Sequence, residues 1–232
     1  MECIILAGGL GTRLQNVIGD IPKCMAPVNN KPFLAYLFNY LATQNCKKII
    51  LSLGYKYESI LEWLQTQNTV FKIEYVIEKE PLGTGGGIQL ALNKTVTDNI
   101  CVLNGDTYFG IPLNELLHFH ITCNAETTLA LKQMVDFDRY GVVKMNNFNI
   151  IQSFEEKQYK ESGLINGGIY IINKNEFLKK NLPEKFSFEK DYLEKYVHEN
   201  RFHGYVSNSY FIDIGVPTDY NKAQIDFKNN SL

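Results

Sequence analysis

The string Leu6-Ala7-Gly8-Gly9-Leu10-Gly11-Thr12-Arg13-Leu14, fused to the apolar run Glu2 to Ala7, constrains this chain more than any other feature. A short unbroken apolar run suits a strand buried on both faces of a parallel sheet. The glycines that follow let the backbone turn sharply toward a helix. At such junctions several backbone N–H groups can converge on phosphate oxygens. Two better-known phosphate loops do not fit. A P-loop needs G-x-x-x-x-G-K-[ST], and no such spacing occurs in the sequence. A dinucleotide fingerprint starting at Gly9 finds Leu14 where its third glycine belongs. Its second strand should also end on a carboxylate, whereas Ser52-Leu53-Gly54-Tyr55 offers none. What remains is a glycine loop ending in Arg13, with Lys23 following in Ile21-Pro22-Lys23. Two cations beside a phosphate loop suit phosphoryl chemistry, where positioning and charge neutralisation provide most of the catalysis. A tight turn flanked by surface cations is the bland alternative, and the length of the matching string argues against it.

The rest of the first half alternates between strand and helix patterns. Lys31-Pro32-Phe33-Leu34 opens a helical stretch, with Pro32 suited to the first turn. Lys48 to Leu53 reads as a strand, Tyr57 to Thr66 as an amphipathic helix, Phe71 to Ile77 as a strand, Thr84 to Asn93 as a helix and Ile100 to Leu103 as a buried strand. That rhythm implies right-handed crossovers and a mainly parallel sheet. Beyond Glu126 the strand candidates crowd together: Thr127 to Lys132, Gly141 to Met145, Ile150 to Phe154 and Gly168 to Ile172, with a turn at Asn146-Asn147. Helical patterns follow at Lys174 to Lys180 and Ser187 to His198, then a strand at Tyr210 to Ile214 and a final helix from Pro217. No linker or repeat divides the chain. We therefore expect one domain over residues 1–232, with a nucleotide-binding half at 1–125 and a second half at 126–232 that adds strands and a substrate-binding lobe.

Bulk properties narrow the partners. A net charge of −2 is poor footing for nucleic acid, which is bound by concentrated Lys and Arg. The 14 Tyr and 14 Phe are read as core rather than base-stacking residues. Cys3, Cys24, Cys46, Cys101 and Cys123 include no C-x-x-C pair, and neither a signal peptide nor a membrane-length apolar run is present, so a cytoplasmic protein with reduced thiols is expected.

The loop followed by Pro22-Lys23, together with Glu80-Pro81-Leu82-Gly83-Thr84-Gly85-Gly86, Leu103-Asn104-Gly105-Asp106 and Phe211-Ile212-Asp213-Ile214-Gly215, resembles the sugar-nucleotide pyrophosphorylase family of nucleotidyltransferases. The resemblance runs from Glu2 to at least Tyr220. It implies a Rossmann-like α/β fold of the nucleotide-diphospho-sugar transferase type, a mainly parallel sheet flanked by helices with added strands forming a sugar-binding lobe. It makes Arg13 and Lys23 catalytic, with the nucleotide held by Leu6, Ala7, Gly8, Gly9, Gly11, Thr12, Arg13, Lys23, Glu80, Pro81, Gly83, Thr84 and Asp106. Guanine needs an acceptor for its N1–H and N2–H, and Glu80 or a backbone carbonyl is the candidate. Asp106 and Asp213 become the Mg²⁺ ligands, since hard Mg²⁺ favours one or two carboxylates plus phosphate oxygens. Tyr140, Gly141, Glu155, Lys157, Asn166 and Gly167 fall on the sugar-phosphate side.

The strings Phe137-Asp138-Arg139-Tyr140-Gly141, Ser153-Phe154-Glu155-Glu156-Lys157 and Gly163 to Tyr170 resemble bacterial heptose 1-phosphate guanylyltransferases in particular. The implied partners are GTP and a sugar 1-phosphate, with no nucleic acid and no membrane, and with a homo-oligomer left open. Mannose 1-phosphate with GTP, a hexose 1-phosphate with UTP or dTTP, and a nucleotide-sugar sensor with a decayed site are the competing readings. Two departures stand out: Cys24 replaces the proline usual after the lysine, and Gly87 stands where alanine is common. A thiol beside the Lys23 cation is expected to be acidified, and the loop loosened.

Overall fold

A computed structural model describes residues 1–9, 11 and 13–229. The opening apolar run forms β1 (Glu2–Ala7), in which Cys3, Ile4 and Ile5 have no exposed surface. After the glycine loop come the short α1 (Gln15–Ile18), a 3₁₀ turn at Lys23–Met25, and the two-residue strands β2 (Pro27–Val28) and β3 (Lys31–Pro32). Next are α2 (Phe33–Thr43), β4 (Lys48–Leu53), α3 (Tyr57–Gln65), β5 (Lys72–Ile77), α4 (Gly83–Leu92) and β6 (Asn99–Asn104). The chain continues through β7 (Thr107–Phe109), α5 (Leu113–Thr122), β8 (Thr127–Phe137), and the pair β9 (Val143–Met145) and β10 (Ile151–Phe154). It ends with β11 (Lys160–Asn173), α6 (Lys174–Lys179), a π-helical turn at Phe188–Glu194, β12 (Phe202–Ser207), β13 (Phe211–Asp213) and α7 (Pro217–Asn229).

Seven strands make one sheet in the order β12-β8-β11-β6-β1-β4-β5. β1 runs parallel to both β4 and β6, β4 is parallel to β5, and β12 is parallel to β8. Only β11 opposes its neighbours, lying antiparallel to β6 and β8. The mainly parallel α/β sheet is thus present, and β8, β11 and β12 extend it directly from the β6 side. Alternate residues of β1 serve opposite faces: Cys3 and Ile5 join one core with Leu34, Leu37 and Leu103, while Ile4 joins the other with Ile50, Val102 and Tyr170. Each such side chain contributes about 1.5–3 kcal/mol on full burial, so the central strands are held from both sides.

Several elements differ from the sequence expectation. Pro32 sits before the helix, paired with Pro27 across a two-residue ladder, and Phe33 is the first helical residue. The helix expected over Ser187 to His198 is instead a π-helical turn with a 3₁₀ turn at Val197–Glu199. β7, α5 and β12 lie outside the elements that the sequence pattern predicts. No described helix is long and apolar enough to cross a membrane.

Candidate active site

The site forms where β1 and β6 end side by side, with Leu6 in register with Asn104. The turn leaving β6 stays tight against β1: Gly105 N–H donates to Leu6 O at 2.9 Å. A Cβ at Gly105 would lie 2.5 Å from that same carbonyl oxygen, so a glycine is needed to bring Asp106 to this edge. Gly11 has φ +62°, and a Cβ there would press on the Lys23 stem at 3.2 Å. The glycine loop therefore rests on the side chain of its own expected catalytic lysine.

Two adjoining cavities open from this edge. The smaller, about 320 Å³, is lined by Leu6, Ala7, Gly8, Gly9, Lys23, Pro81, Gly83, Thr84 and Asp106 among the residues expected to hold the nucleotide. Thr12 lies outside the described residues. Gly11 lies behind Lys23, and Arg13 is exposed and faces the larger cavity instead. Glu80 is exposed and does not line the small cavity; Glu78 does. Glu78 is fixed there by accepting Leu82 N–H at 3.0 Å and Ser52 Oγ–H at 3.1 Å. Gly87 explains itself at this point. A Cβ on it would stand 2.9 Å from Glu78 Oε1 and 3.0 Å from Ser52 Oγ, so glycine clears room for this hydrogen-bonded pair.

The larger cavity, about 740 Å³, is lined by Arg13, Tyr140, Gly141, Glu155, Lys157 and Asn166, as expected for the acceptor side, and also by Arg139, Ser187, Glu189, Lys190 and Glu194. Gly167 is absent from its wall: a Cβ there would strike Phe109 at 2.5 Å, and its neighbour Gly168 faces the cavity. Asn166 is held by two bonds within its own strand. Its Nδ2–H donates to Tyr170 Oη at 2.8 Å, and its Oδ1 accepts Gly168 N–H at 3.0 Å. Lys160, 2.8 Å away, holds the Glu155 carboxyl below the usual carboxylate range, so that side chain carries charge.

Asn104 and Asp106 line both cavities, which marks the meeting point. The antiparallel pairing of β7 with β13 sets Asp213 opposite Thr107, and Ile214 N–H donates to Asp106 O at 3.0 Å. Lys23 Nζ forms an ion pair with Asp106 Oδ2 at 2.7 Å. Asp213 is pushed up to about 6, by burial first and by the Asp106 charge second, against the relief given by Gly215 N–H and Lys23. Two close carboxylates, one of them strained toward protonation, form a set that a divalent cation would relieve. Among the described residues no third His, Cys, Asp or Glu joins them. Two carboxylates would fit Mg²⁺, a hard cation that takes one or two of them together with phosphate and water oxygens.

Cys24 corrects an expectation. Its thiol is buried and pushed up to about 12, by burial first and by the Asp106 carboxylate second. Lys23 spends its charge on Asp106 rather than on the thiol, so Cys24 acts as a small apolar residue beneath the 3₁₀ turn.

Comparison with known proteins matches residues 2–230 to the nucleotidyl transferase family. The chain is 49% identical over 229 residues to a D-glycero-alpha-D-manno-heptose 1-phosphate guanylyltransferase of Aneurinibacillus thermoaerophilus, covering 99% of each. It is 50% identical over 220 residues to the enzyme of that name from Campylobacter jejuni, covering 95% of this chain and 97% of the relative. The crystal structure of HddC from Yersinia pseudotuberculosis complexed with GMP-PN superposes with a TM-score of 0.86 at 37% identity, covering 97% of this chain and 99% of that one.

Proposed function

The chain belongs to the nucleotidyl transferase family, and on that premise we propose that it transfers GMP from GTP to D-glycero-α-D-manno-heptose 1-phosphate, giving GDP-heptose and pyrophosphate. The observation that carries this reading is a nearly full-length identity of 49% and 50% to two enzymes of that specificity. The geometry is consistent with it. A small cavity at the glycine loop suits a nucleotide, a larger polar one suits a sugar phosphate, and they share Asp106.

The mechanism is in-line attack by a sugar 1-phosphate oxygen on the α-phosphorus of GTP. The P–O bond to the β-phosphate breaks and pyrophosphate leaves, with no covalent enzyme intermediate. The loop at Gly8 and Gly9, which line the small cavity, presents backbone amides to the triphosphate. Glu78, fixed by Ser52 and Leu82, is the better-placed acceptor for guanine N–H groups than the exposed Glu80. Lys23 leaves Asp106 to neutralise charge at the α-phosphate, and Arg13 reaches the phosphates from the rim of the acceptor cavity. Asp106 and Asp213 would hold Mg²⁺, which supplies charge neutralisation between the two reacting phosphates. Holding both substrates across one carboxylate converts a two-body encounter into a positioned reaction. Lys157, Glu155 and Asn166 line the acceptor side, the lysine for the sugar phosphate and the others for hydroxyls.

The test is a two-way panel of GTP, UTP, dTTP and ATP against heptose, mannose and glucose 1-phosphates with Mg²⁺, read by product mass and pyrophosphate release. GDP-heptose should form fastest. A faster product from any other pair would replace the assignment.

A further inference from the structure

Phe188–Glu194 runs as a π-helical turn, a rare geometry that recurs at functional sites. Its far side is anchored in the core. Tyr192 is fully buried, and its hydroxyl lies 2.7 Å from Thr127 Oγ1 and donates to Glu126 Oε1 at 3.0 Å. Its near side is tied to the loop that opens α4. Thr84 Oγ1–H donates to Glu189 Oε2 at 2.7 Å, and the same hydroxyl accepts Phe188 N–H at 2.9 Å. Ser187 Oγ–H donates to Glu189 Oε2 at 3.0 Å. Gly85 N–H donates to Phe186 O at 3.1 Å, and a Cβ on Gly86 would meet the backbone of Glu184, so the two segments form one packed unit.

The groups joined by this carboxylate open on different cavities. Thr84 lines the smaller one, while Ser187 and Glu189 line the larger. Both hydroxyls bond to Oε2. Oε1 is the second acceptor oxygen of a side chain that walls a polar cavity, and an ionised carboxylate offers only acceptors. A polyhydroxylated acceptor brings the matching donors.

We propose that Glu189 is a positioning and specificity residue for the reaction: Oε2 holds Thr84 of the nucleotide loop, and Oε1 accepts a hydroxyl of the acceptor sugar. This rests on the reading of the acceptor as a sugar 1-phosphate. Sugar bound at Oε1 fixes the carboxylate and with it the Thr84 bond, so each substrate tightens the other. The coupling is reciprocal by linkage. Nothing in the pattern of glycines, lysines and aspartates assigns Glu189 such a role, since Thr84 and Glu189 are 105 positions apart.

The experiment measures binding of a non-hydrolysable GTP analogue by calorimetry with and without D-glycero-α-D-manno-heptose 1-phosphate, alongside steady-state KM and kcat for the sugar phosphate. The wild type should bind the analogue more tightly when the sugar phosphate is present. Glu189→Gln should raise the acceptor KM by about ten- to a hundredfold, the worth of a charge-assisted hydrogen bond, with a smaller change in kcat and with the coupling factor falling toward one. Thr84→Ser, which keeps the hydroxyl, should retain the coupling, and Thr84→Val should lose it. Unchanged acceptor KM and coupling in Glu189→Gln would overturn the proposal. If that variant does not fold, by circular dichroism, Thr84→Val decides in its place, and full coupling there is equally fatal. Should the wild type not turn over the heptose phosphate, the substrate assignment fails by itself. Glu189 is then tested with whichever sugar 1-phosphate the enzyme does use.

Discussion

Replacing Asp213 by asparagine should stabilise the folded protein while abolishing turnover. The carboxyl titrates near 6 in the folded chain against 3.8 ordinarily, a difference of about two pKa units. At about 1.4 kcal/mol per unit this is on the order of 3 kcal/mol. The folded state holds the proton more tightly than the unfolded chain. Asp213 therefore contributes stability that is fully present below pH 3.8 and lost as the pH rises through about 6. At pH 7.5 the ionised group is a net liability, caused by burial and by Asp106. Asparagine removes the charge and keeps an oxygen for the Gly215 N–H bond, 2.7 Å long in the native chain. Urea unfolding at intervals from pH 4 to 8, with a chelator present, reads the effect. The variant should exceed the wild type by up to about 3 kcal/mol at pH 7.5, with the gap closing toward pH 4. Added Mg²⁺ should then stabilise the wild type more than the variant, because ligand binding favours the folded state. A gap that does not vary with pH would refute the reasoning, since it would show that ionisation of this carboxyl is not what the fold opposes.

Lys23→Ala should lower turnover by about 10²–10³, in line with the loss of other preorganised charge contacts; near wild-type pyrophosphate release would remove Lys23 from the chemistry. Gly105→Ala forces a methyl to 2.5 Å from Leu6 O, so we expect a loss of about 1–3 kcal/mol together with turnover, as overpacking displaces Asp106; a crystal structure showing an unmoved Asp106 would contradict this. His120 is buried, bonded to Thr128 Oγ1 and close to Asn99 Oδ1, and burial pushes it down to about 4. Its contribution is present above the ordinary value of 6.5 and lost as the pH falls through about 4. Wild type should thus lose about 3 kcal/mol from this group on acidification, and His120→Gln should show a flatter acid limb in urea titrations.

The parts of the fold legible in the sequence are those whose requirement is local. β1, β4 and β6 are continuous apolar runs because both faces of each are buried, and the glycine loop is readable because a backbone turn needs glycine wherever it occurs. α5 was hidden because its inward stripe reads Leu113, Leu116, His120, with a buried histidine where a hydrophobe would have signalled a helix. β11 was read too short, because Asn166-Gly167-Gly168 looks like a turn. In the sheet it is an irregularity in which Gly168, at φ +71°, absorbs the extra length and the ladder with β8 resumes at Tyr170. Glu78 and Glu80 are equivalent as letters, and only the Ser52 and Gly87 pocket, built from other elements, selects the first. Cys24 is not acidified for a similar reason, since the cation beside it in sequence is turned toward a carboxylate in the turn between β6 and β7.

The β7–β13 pairing has a consequence for the order in which the enzyme becomes competent. Lys23 and Asp106 belong to the first half of the chain, but Asp213 reaches them only by a pairing that spans about a hundred residues, and the α7 that follows is tied to β2 through Tyr220 and Gln224 on Pro27 O. Until β13 docks on β7, the Lys23–Asp106 ion pair stands without Asp213 beside it, so this corner of the cavity is completed only by a contact distant in sequence.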